Sequence, residues 1–286
     1  MKQFVYFVEF IFIKIFFYIF WLIGYRNSSN LCNIIGKFFG PIFRSKSLIS
    51  NNLKQAGIVN KENCENISLN VLGNYGRIFS EYVYLKDFRN GKLDKFITIV
   101  GKEYLDEILN KNKKVVFISG HFNNFELMAM QLEKVGIELT AIYRPLNNKY
   151  LNKNMEFIRK NFICKKQIKK GRSGSRELIK NFKNGSSIAL MIDQRVREGI
   201  SVPFFNKFAS TTTIPAQLVK KYNCEIVPIY IERIDKIFFK MHVSKPINFQ
   251  KNNNISNITL KLNQILEKMI LKNVDQWIWT HNRWKK

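Results

Sequence analysis

The residues best suited to acid–base chemistry are His121 and Glu126, within the stretch Ile118–Met130, ISGHFNNFELMAM. The chain has only three histidines, and imidazole is the side chain that most readily exchanges a proton near neutral pH. A glutamate that accepts a hydrogen bond from one ring nitrogen would leave the other as a proton acceptor. The stretch is therefore a candidate general base for a substrate hydroxyl that attacks a carbonyl.

The local structure decides whether these two side chains can meet. VVFIS is typical of a buried strand, Gly120 permits a tight turn, and Asn123 or Asn124 is a favourable N-cap for a helix. Five residues of continuous helix would place His121 and Glu126 about 140° apart, and a strand would place them on opposite faces. We expect them to meet only if His121 lies outside the helix and the chain curls back over its first turn. In the alternative, Glu126 merely completes a capping box and His121 is a turn residue.

Strand-like and helix-like segments alternate from about residue 45 onward. The predicted strands are KKVVFISG, LTAIYR, SSIALMID, CEIVPIYIE and IFFKMHVS, and most of the segments between them have apolar residues at helical spacing. This alternation predicts an α/β fold with a central, mainly parallel or mixed sheet flanked by helices. Active sites of such sheets lie at the carboxyl ends of strands. His121 follows one predicted strand directly, and Asp193 closes another.

Residues 1–25 are expected to form a membrane-anchor helix, and residues 26–286 a single α/β domain. Residues 4–23 include 18 apolar residues out of 20, which as a helix would cover the roughly 30 Å hydrocarbon thickness of a bilayer. Glu9 and Lys14 interrupt this segment, and each costs about 3 kcal/mol near the centre of a span. The segment therefore either crosses the membrane or lies in one leaflet, and a buried soluble helix is the alternative. Many positive charges follow it, so we expect the body of the protein in the cytoplasm.

The net charge of +26 is spread along the chain. Such a chain is drawn to anionic surfaces: lipid headgroups, nucleic acid or an acidic carrier protein. Biased codon usage is an alternative cause of the excess, because Lys, Asn and Ile are all plentiful. The sequence has no signature of a DNA- or RNA-binding module, so we expect no nucleic-acid partner. The four cysteines are far apart and include no CxxC pair, so we expect neither a metal site nor a disulfide framework.

Four segments together resemble a known enzyme family. His-x4-Glu after an apolar strand is similar to the His-x4-Asp/Glu motif of the glycerolipid and lysophospholipid acyltransferase superfamily. YRPLNNKYL (143–151), DQRVREGISVPFFNKFASTTTIPAQL (193–218) and QWIWTHNRWK (276–285) resemble the late acyltransferases of lipid A biosynthesis, the lauroyl/myristoyl transferase family. The resemblance runs in order over nearly the whole chain, and the N-terminal hydrophobic anchor also fits.

The resemblance implies an activity, partners and a location. The enzyme would move a fatty acyl chain from an acyl carrier protein thioester to a hydroxyl of a lipid A precursor of the Kdo2-lipid IVA type. This step belongs to lipopolysaccharide or lipooligosaccharide biosynthesis, on the cytoplasmic side of the bacterial inner membrane, and needs no cofactor. The acidic carrier protein, the anionic glycolipid acceptor and the anionic membrane surface would all be attracted by a basic face.

The resemblance also implies roles for the residues that match its motifs. His121 would be the general base, and Glu126 would orient it and stabilise the imidazolium. Arg159 would meet the oxyanion or a phosphate, Asp193 would orient the sugar or the arginine, and Arg144 would contact a phosphate. For each of the last three, a purely local structural role is the alternative.

The motif VPFF contains Phe204 and Phe205, which the resemblance places along the acyl or substrate groove, with core packing as the alternative. His242 and His281 are interpreted as structural. Three other functions stay open: an acyltransferase acting on another lysolipid or glycolipid or using acyl-CoA, a non-catalytic basic membrane adaptor, and a hydrolase. The hydrolase lacks support because the chain has no GxSxG motif.

Overall fold

The computed structural model describes residues 1–58 and 61–285. Its helices are α1 (Lys2–Ile23), α2 (Tyr25–Phe43), α3 (Lys46–Gln55), α4 (Lys61–Glu81), α5 (Leu85–Arg89), α6 (Lys102–Asn110), α7 (Glu126–Lys134), α8 (Lys149–Ile158), α9 (Arg172–Lys183), α10 (Ile214–Tyr222) and α11 (Ile255–Lys272). Helix α8 continues into a π-helical turn, Arg159–Ile163. The strands are β1 (Ile97–Val100), β2 (Val116–Ser119), β3 (Leu139–Tyr143), β4 (Lys166–Lys169), β5 (Ser187–Met191), β6 (Ile200–Phe204), β7 (Lys207–Thr211), β8 (Ile226–Ile234) and β9 (Phe238–Val243).

The central sheet has the strand order β1-β9-β8-β2-β5-β3-β4 across the described residues. Neighbouring strands pair in parallel, except for β8 and β9, which pair antiparallel. Strands β6 and β7 form a separate antiparallel hairpin. The structure confirms the predicted α/β fold, with a mainly parallel mixed sheet flanked by helices.

Strands β2 and β5 occupy the centre of the sheet and end at the same level. All four residues of β2 are buried, as expected for a strand covered by helices on both faces. The register pairs Ser119 with Met191, so the chain leaves both strands at neighbouring points. His121 and Asp193 each lie two residues beyond this last pair. The parallel register therefore brings them out of the sheet side by side.

Helices α2 and α4 pack closely through glycines. A Cβ added at Gly76 of α4 would lie 1.9 Å from the carbonyl oxygen of Cys32, and one added at Gly36 of α2 would lie 2.5 Å from that of Leu72. Only glycine allows two backbones to approach this closely. Helix α4 is thus fixed against the N-terminal helices on one side, while another of its faces lines the candidate site.

Helix α1 is, among the described residues, the one helix long and apolar enough to cross a membrane, judged by length and composition. Most of its side chains are exposed, and Phe20 is its one buried residue. Helix α2 follows after the single residue Gly24, which has a φ of 83°. The N-terminal segment therefore contains two helices joined by a sharp turn.

Candidate active site

The imidazole of His121 is paired with the carboxylate of Asp193. Its Nδ1 lies 2.8 Å from Asp193 Oδ1, and its backbone N–H donates to Asp193 Oδ2 at 2.7 Å. An ionised carboxylate can only accept, so Nδ1 carries the proton, and Nε2 has a lone pair whenever the imidazole is neutral. Two separate bonds from one residue fix both the position and the tautomer of the ring.

Asp193 lies fully buried beneath this pair. Trp277 donates from Nε1 to Asp193 Oδ2 at 2.8 Å, so the carboxylate accepts three hydrogen bonds. Burial acts to raise the pKa of Asp193, but the charge and hydrogen bonds of His121 outweigh it, and the pKa lies below its ordinary 3.8. The carboxylate is therefore ionised at neutral pH.

Two opposing effects act on the pKa of His121. Burial acts to lower it, and the charge and hydrogen bond of Asp193, with a smaller contribution from the charge of Glu126, raise it above the ordinary 6.5. A raised pKa makes the neutral imidazole a stronger proton acceptor. The environment thus strengthens the basicity of the imidazole.

Gly120 allows the carboxylate to approach the histidine. A Cβ at this position would lie 3.2 Å from Asp193 Oδ2 and 3.0 Å from Leu266 Cδ1. Gly120 does not have a positive φ, so its role is close approach rather than the tight turn expected from the sequence.

A shallow cleft with about 30 Å³ of enclosed space, open to solvent, lies beside the imidazole. Helix α4 forms one wall of the cleft, and His121, Phe125 and the segment 275–278 form the other. The ring of Phe125 packs edge-on against the imidazole, with centroids 4.8 Å apart. Within the described part of the chain, His121 Nε2 makes no hydrogen bond, and 20% of the side chain is exposed. The ring is therefore partly open to solvent beside the cleft, with an unused acceptor nitrogen.

Glu126 does not hydrogen-bond to His121, and this corrects the expectation from the sequence. Its Oε1 accepts from Arg159 Nε at 2.9 Å and also from Arg159 Nη2 and the hydroxyl of Tyr82. The carboxylate that orients the imidazole comes instead from the neighbouring strand, as Asp193. The spacing His-x4-Glu places both residues at one strand exit, but the first turn of α7 directs Glu126 toward α8.

The residues between them also depart from the predicted capping. Helix α7 begins at Glu126, and neither Asn123 nor Asn124 caps it. Asn123 has a φ of 43° and donates to Gln276 Oε1 at 2.7 Å, while Asn124 donates to the buried Glu81 at 3.3 Å. Both asparagines are used to fix the loop to distant elements, which delays the start of the helix.

Arg159 is mostly buried at the start of the π-helical turn. Its side chain is 14% exposed, and its guanidinium lies 5.8 Å from the ring centroid of Tyr143. Burial acts to lower the pKa of Arg159, but the negative charge of Glu126 raises it overall, so the arginine stays charged. Nε and Nη2 are occupied by Glu126, and Nη1 makes no hydrogen bond to the described residues.

Three other predicted site residues lie outside the cleft. Arg144 is exposed at the carboxyl end of β3, with no ion pair among the described residues. Phe204 and Phe205 are buried, and Phe204 packs against Trp277 and Trp284. The structure therefore places both phenylalanines in the core rather than along an open groove, because the β6–β7 hairpin folds them under the C-terminal segment.

The other two histidines have local partners. His281 Nε2 accepts from the backbone N–H of Arg195 at 2.9 Å, and His242 Nε2 lies 2.7 Å from Glu232. Burial lowers the pKa of His281. No group of three His, Cys, Asp or Glu side chains in the described ranges is arranged to hold a metal ion.

The hydrogen bond from Trp277 to Asp193 was not predicted from the sequence. The residue packs in the core. Its indole N–H, however, also fixes the aspartate of the site. An isolated antiparallel bridge between Phe122 and Trp277 holds the two segments together. No local sequence signal links positions 155 residues apart.

Comparison with known proteins identifies the family to which this sequence belongs. A family model described as "Bacterial lipid A biosynthesis acyltransferase" matches residues 1–286. The chain belongs to this family. The lipid A biosynthesis acyltransferase of Haemophilus influenzae (strain ATCC 51907 / DSM 11121 / KW20 / Rd) is 26% identical over 207 residues, and the lipid A biosynthesis lauroyltransferase of Escherichia coli (strain K12) is 23% identical over 204.

Each alignment covers 68% of this chain and 63% of the relative, so the chain matches somewhat less than two thirds of the length of these curated proteins. A crystal structure of the 1-acyl-sn-glycerophosphate (LPA) acyltransferase PlsC from Thermotoga maritima aligns with 89% of this chain and all of its own, at 12% identity and a TM-score of 0.44. The lipid A acyltransferase family is also the one that the sequence motifs indicate.

Proposed function

We propose that this member of the lipid A acyltransferase family transfers a fatty acyl chain from an acyl carrier protein thioester to a hydroxyl of a lipid A precursor of the Kdo2-lipid IVA type. The reaction would take place at the cytoplasmic face of the bacterial inner membrane. The observation that carries the proposal is the His121–Asp193 pair, whose free Nε2 lies beside a cleft.

The proposed reaction begins with proton removal by His121. Nε2 takes the hydroxyl proton as the oxygen forms a bond to the thioester carbonyl carbon. Asp193 holds Nδ1–H and stabilises the imidazolium that results. The tetrahedral intermediate then collapses with cleavage of the C–S bond, and the imidazolium returns its proton to the leaving thiolate. The products are the ester and the free thiol of the carrier protein.

The oxyanion of the intermediate needs hydrogen-bond donors. The first turn of α7 begins immediately after the catalytic loop, and helix N-termini present free N–H groups and partial positive charge. Neither Phe125 nor Glu126 uses its backbone N–H within the described structure. We assign these N–H groups to the oxyanion.

We assign Arg159 to substrate binding, with Glu126 holding the guanidinium in position. The carboxylate holds Nε and Nη2 and so fixes the plane of the guanidinium. The remaining edge, at Nη1, is suited to a phosphate or an acyl oxygen. In this assignment Glu126 acts on the arginine, and its contribution to His121 is the electrostatic one described above.

Transfer assays with purified full-length protein test the proposal. The donor is a radiolabelled lauroyl or myristoyl acyl carrier protein, and the acceptor is the tetra-acylated, bis-phosphorylated disaccharide carrying two acidic sugars. We expect transfer by the wild type and a loss of at least a hundredfold in His121→Ala. His242→Ala, which removes a histidine outside the cleft, is the matched control and should transfer at the wild-type rate.

Substitute substrates separate the alternatives. Preferred transfer to a lysophospholipid would indicate another acceptor class, and preference for acyl-CoA would indicate another donor. Release of free fatty acid without transfer would indicate a hydrolase. Failure of every donor and acceptor, with a folded protein, would favour the non-catalytic membrane adaptor.

A further inference from the structure

A buried ion pair supports the loop that follows His121. Glu81, the last residue of α4, is fully buried, and the side chain of Arg233 on β8 is 6% exposed. Arg233 Nη1 donates to Glu81 Oε1 at 2.6 Å, and Nη2 donates to Oε2 at 3.1 Å. A buried ion pair is often no more stabilising than apolar residues of the same size, because both charges lose their hydration. The further contacts of the pair therefore indicate its role better than its strength does.

Glu81 is hydrogen-bonded directly to the loop. Asn124, which is fully buried, donates from Nδ2 to Glu81 Oε2 at 3.3 Å. The other polar atom of this side chain, Oδ1, is buried and has no hydrogen-bond partner among the described residues. Burying such an atom costs stability, so packing alone does not explain an asparagine here. The bond from Nδ2 to Glu81 does.

Arg233 holds the adjacent asparagine through a second amide. Its Nε donates to Asn74 Oδ1 at 3.0 Å, and Asn74 Nδ2 donates to Asn123 Oδ1 at 2.7 Å. Gln276 closes a ring of hydrogen bonds. Its Oε1 accepts from Asn123 Nδ2 at 2.7 Å and from the backbone N–H of Arg233 at 2.9 Å, and its Nε2 donates to the carbonyl oxygen of Arg233 at 3.0 Å. Each member of the ion pair thus holds one of the two asparagines of the loop.

These contacts hold Asn123 in the left-handed conformation, with a φ of 43°. Residues other than glycine rarely adopt this conformation, and it persists where surrounding contacts impose it. Asn123 lies between His121 and the start of α7, so its conformation decides where the helix begins. The late start leaves the backbone N–H groups of Phe125 and Glu126 unused within the described structure. These are the donors assigned above to the oxyanion.

We propose that Glu81 and Arg233 are positioning residues for acyl transfer, which fix Asn123 and Asn124 so that the next two backbone N–H groups are held where the oxyanion forms. The inference rests on the proposed function. His121 is held separately, by the two hydrogen bonds to Asp193. The ion pair therefore acts on the stabilisation of the oxyanion and not on the base.

Removal of both charges together tests the proposal in the full-length protein. Glu81→Leu combined with Arg233→Met leaves no unpaired buried charge, whereas each single substitution does. The double variant should therefore unfold at a temperature closer to that of the wild type than either single variant. The matched control is Lys113→Met combined with Glu225→Leu. It removes an ion pair of 3.1 Å at the amino ends of β2 and β8, at the opposite end of these strands from the candidate site.

The double variant should lose turnover and keep its base. We expect kcat to fall about a hundredfold, as for the loss of one oxyanion donor, and KM to stay within about threefold of the wild type. The pH midpoint of kcat/KM and the proton on Nδ1 of His121, followed by nitrogen-15 NMR, should not change. Amide hydrogen exchange of residues 121–126 should be about tenfold faster or more, because the loop has lost its supports. The control variant should match the wild type in all four measurements.

Two results would show that the ion pair is only structural. One is transfer within about threefold of the wild-type rate by the folded double variant. The other is a loss of transfer in the single variants that disappears in the double variant, because activity would then follow stability alone. A shifted pH midpoint, or a proton moved to Nε2 of His121, would show that the pair acts on the base and would also overturn the proposal.

Asn74→Ala and Asn124→Ala provide the same test if the double variant does not fold. Each removes one link to the loop and leaves the ion pair in place. Each should lower kcat about tenfold or more at an unchanged pH midpoint, and wild-type turnover in both would overturn the proposal. Absence of transfer by the wild type would count against the proposed function. Hydrogen exchange separates that outcome, since unchanged exchange of residues 121–126 in the variants would count against the positioning role alone.

Discussion

Replacing Asp193 with asparagine should force His121, the proposed base, into the wrong tautomer. Asp193 Oδ2 accepts from the backbone N–H of His121 and from Trp277 Nε1, and Oδ1 faces the ring Nδ1. The single oxygen of an asparagine amide is most stable facing the two N–H donors. Its NH2 group then faces Nδ1 and requires that nitrogen to accept, so the proton moves to Nε2 and the base is lost.

The size of the rate loss follows from the free energy of the flipped asparagine amide. Turning the amide over would restore the useful tautomer but would place the NH2 group against two buried N–H donors. Each such lost bond costs about 1–3 kcal/mol, so the useful state is about 2–6 kcal/mol higher, a population of roughly one in thirty to one in twenty thousand. We expect kcat to fall by about three orders of magnitude, in line with about 10⁴ for the same change in serine protease triads.

The assay is single-turnover transfer from labelled acyl carrier protein, with thermal unfolding measured on the same sample. Asp193→Asn should unfold within a few degrees of the wild type, because the residue keeps its size and two of its hydrogen bonds. Transfer within tenfold of the wild-type rate by a folded Asp193→Asn protein would refute the orienting role. Glu126→Gln provides the comparison, since it leaves the bond between Asp193 and Nδ1 intact. After correction for folding, its transfer rate should fall less than that of Asp193→Asn.

Three other outcomes are expected. Glu126→Gln leaves the mostly buried guanidinium of Arg159 without a counter-charge, so thermal or urea unfolding should show a loss of about 3 kcal/mol; an unchanged midpoint would contradict this. Gly76→Ala would place a methyl group 1.9 Å from the carbonyl oxygen of Cys32 and should cost about 1–3 kcal/mol or more, whereas alanine at an exposed position of the same helix should cost little. Because the base must be neutral, kcat/KM should rise with pH and level off above the raised pKa of His121, with a midpoint above 6.5; a midpoint below 6.5 would argue against histidine as the base.

The sequence predicted the fold and the position of His121 at a strand exit because both depend on local patterns. Apolar runs such as VVFIS indicated the strands, and Gly120 after that run placed His121 at the carboxyl end of a strand, where the structure has it. Asp193 was also placed at a strand end by the same argument. These signals lie within a few residues of the side chains concerned.

The partner of His121 could not be predicted in this way because it depends on strand order. Strands β2 and β5 are separated by more than sixty residues of chain, and only their adjacency in the sheet brings Asp193 to the imidazole. Glu126 is closer in sequence, but the left-handed conformation of Asn123 and the late start of α7 turn its side chain away. Proximity along the chain therefore favoured the wrong carboxylate.

Phe204 and Phe205 show that the type of an apolar residue does not by itself distinguish a groove from a core. Their types are equally suited to a groove or a core, and the tertiary contacts with the C-terminal tryptophans decide for the core. The apolar content of α1 likewise indicated a membrane helix, whereas its contacts with the α8 segment involve residues about 140 positions away.

The central claim is that Asp193 holds the proton on Nδ1 of His121 and leaves Nε2 free. Nitrogen-15 NMR of the imidazole reports this directly, and the chain has only three histidines to assign. Above the pKa of His121, the protein in lipid nanodiscs should show a protonated Nδ1 and an unprotonated Nε2, both in the wild type and in Glu126→Gln, with the pattern reversed in Asp193→Asn. A wild-type resonance with the proton on Nε2, or a pattern that changes in Glu126→Gln and not in Asp193→Asn, would contradict the account.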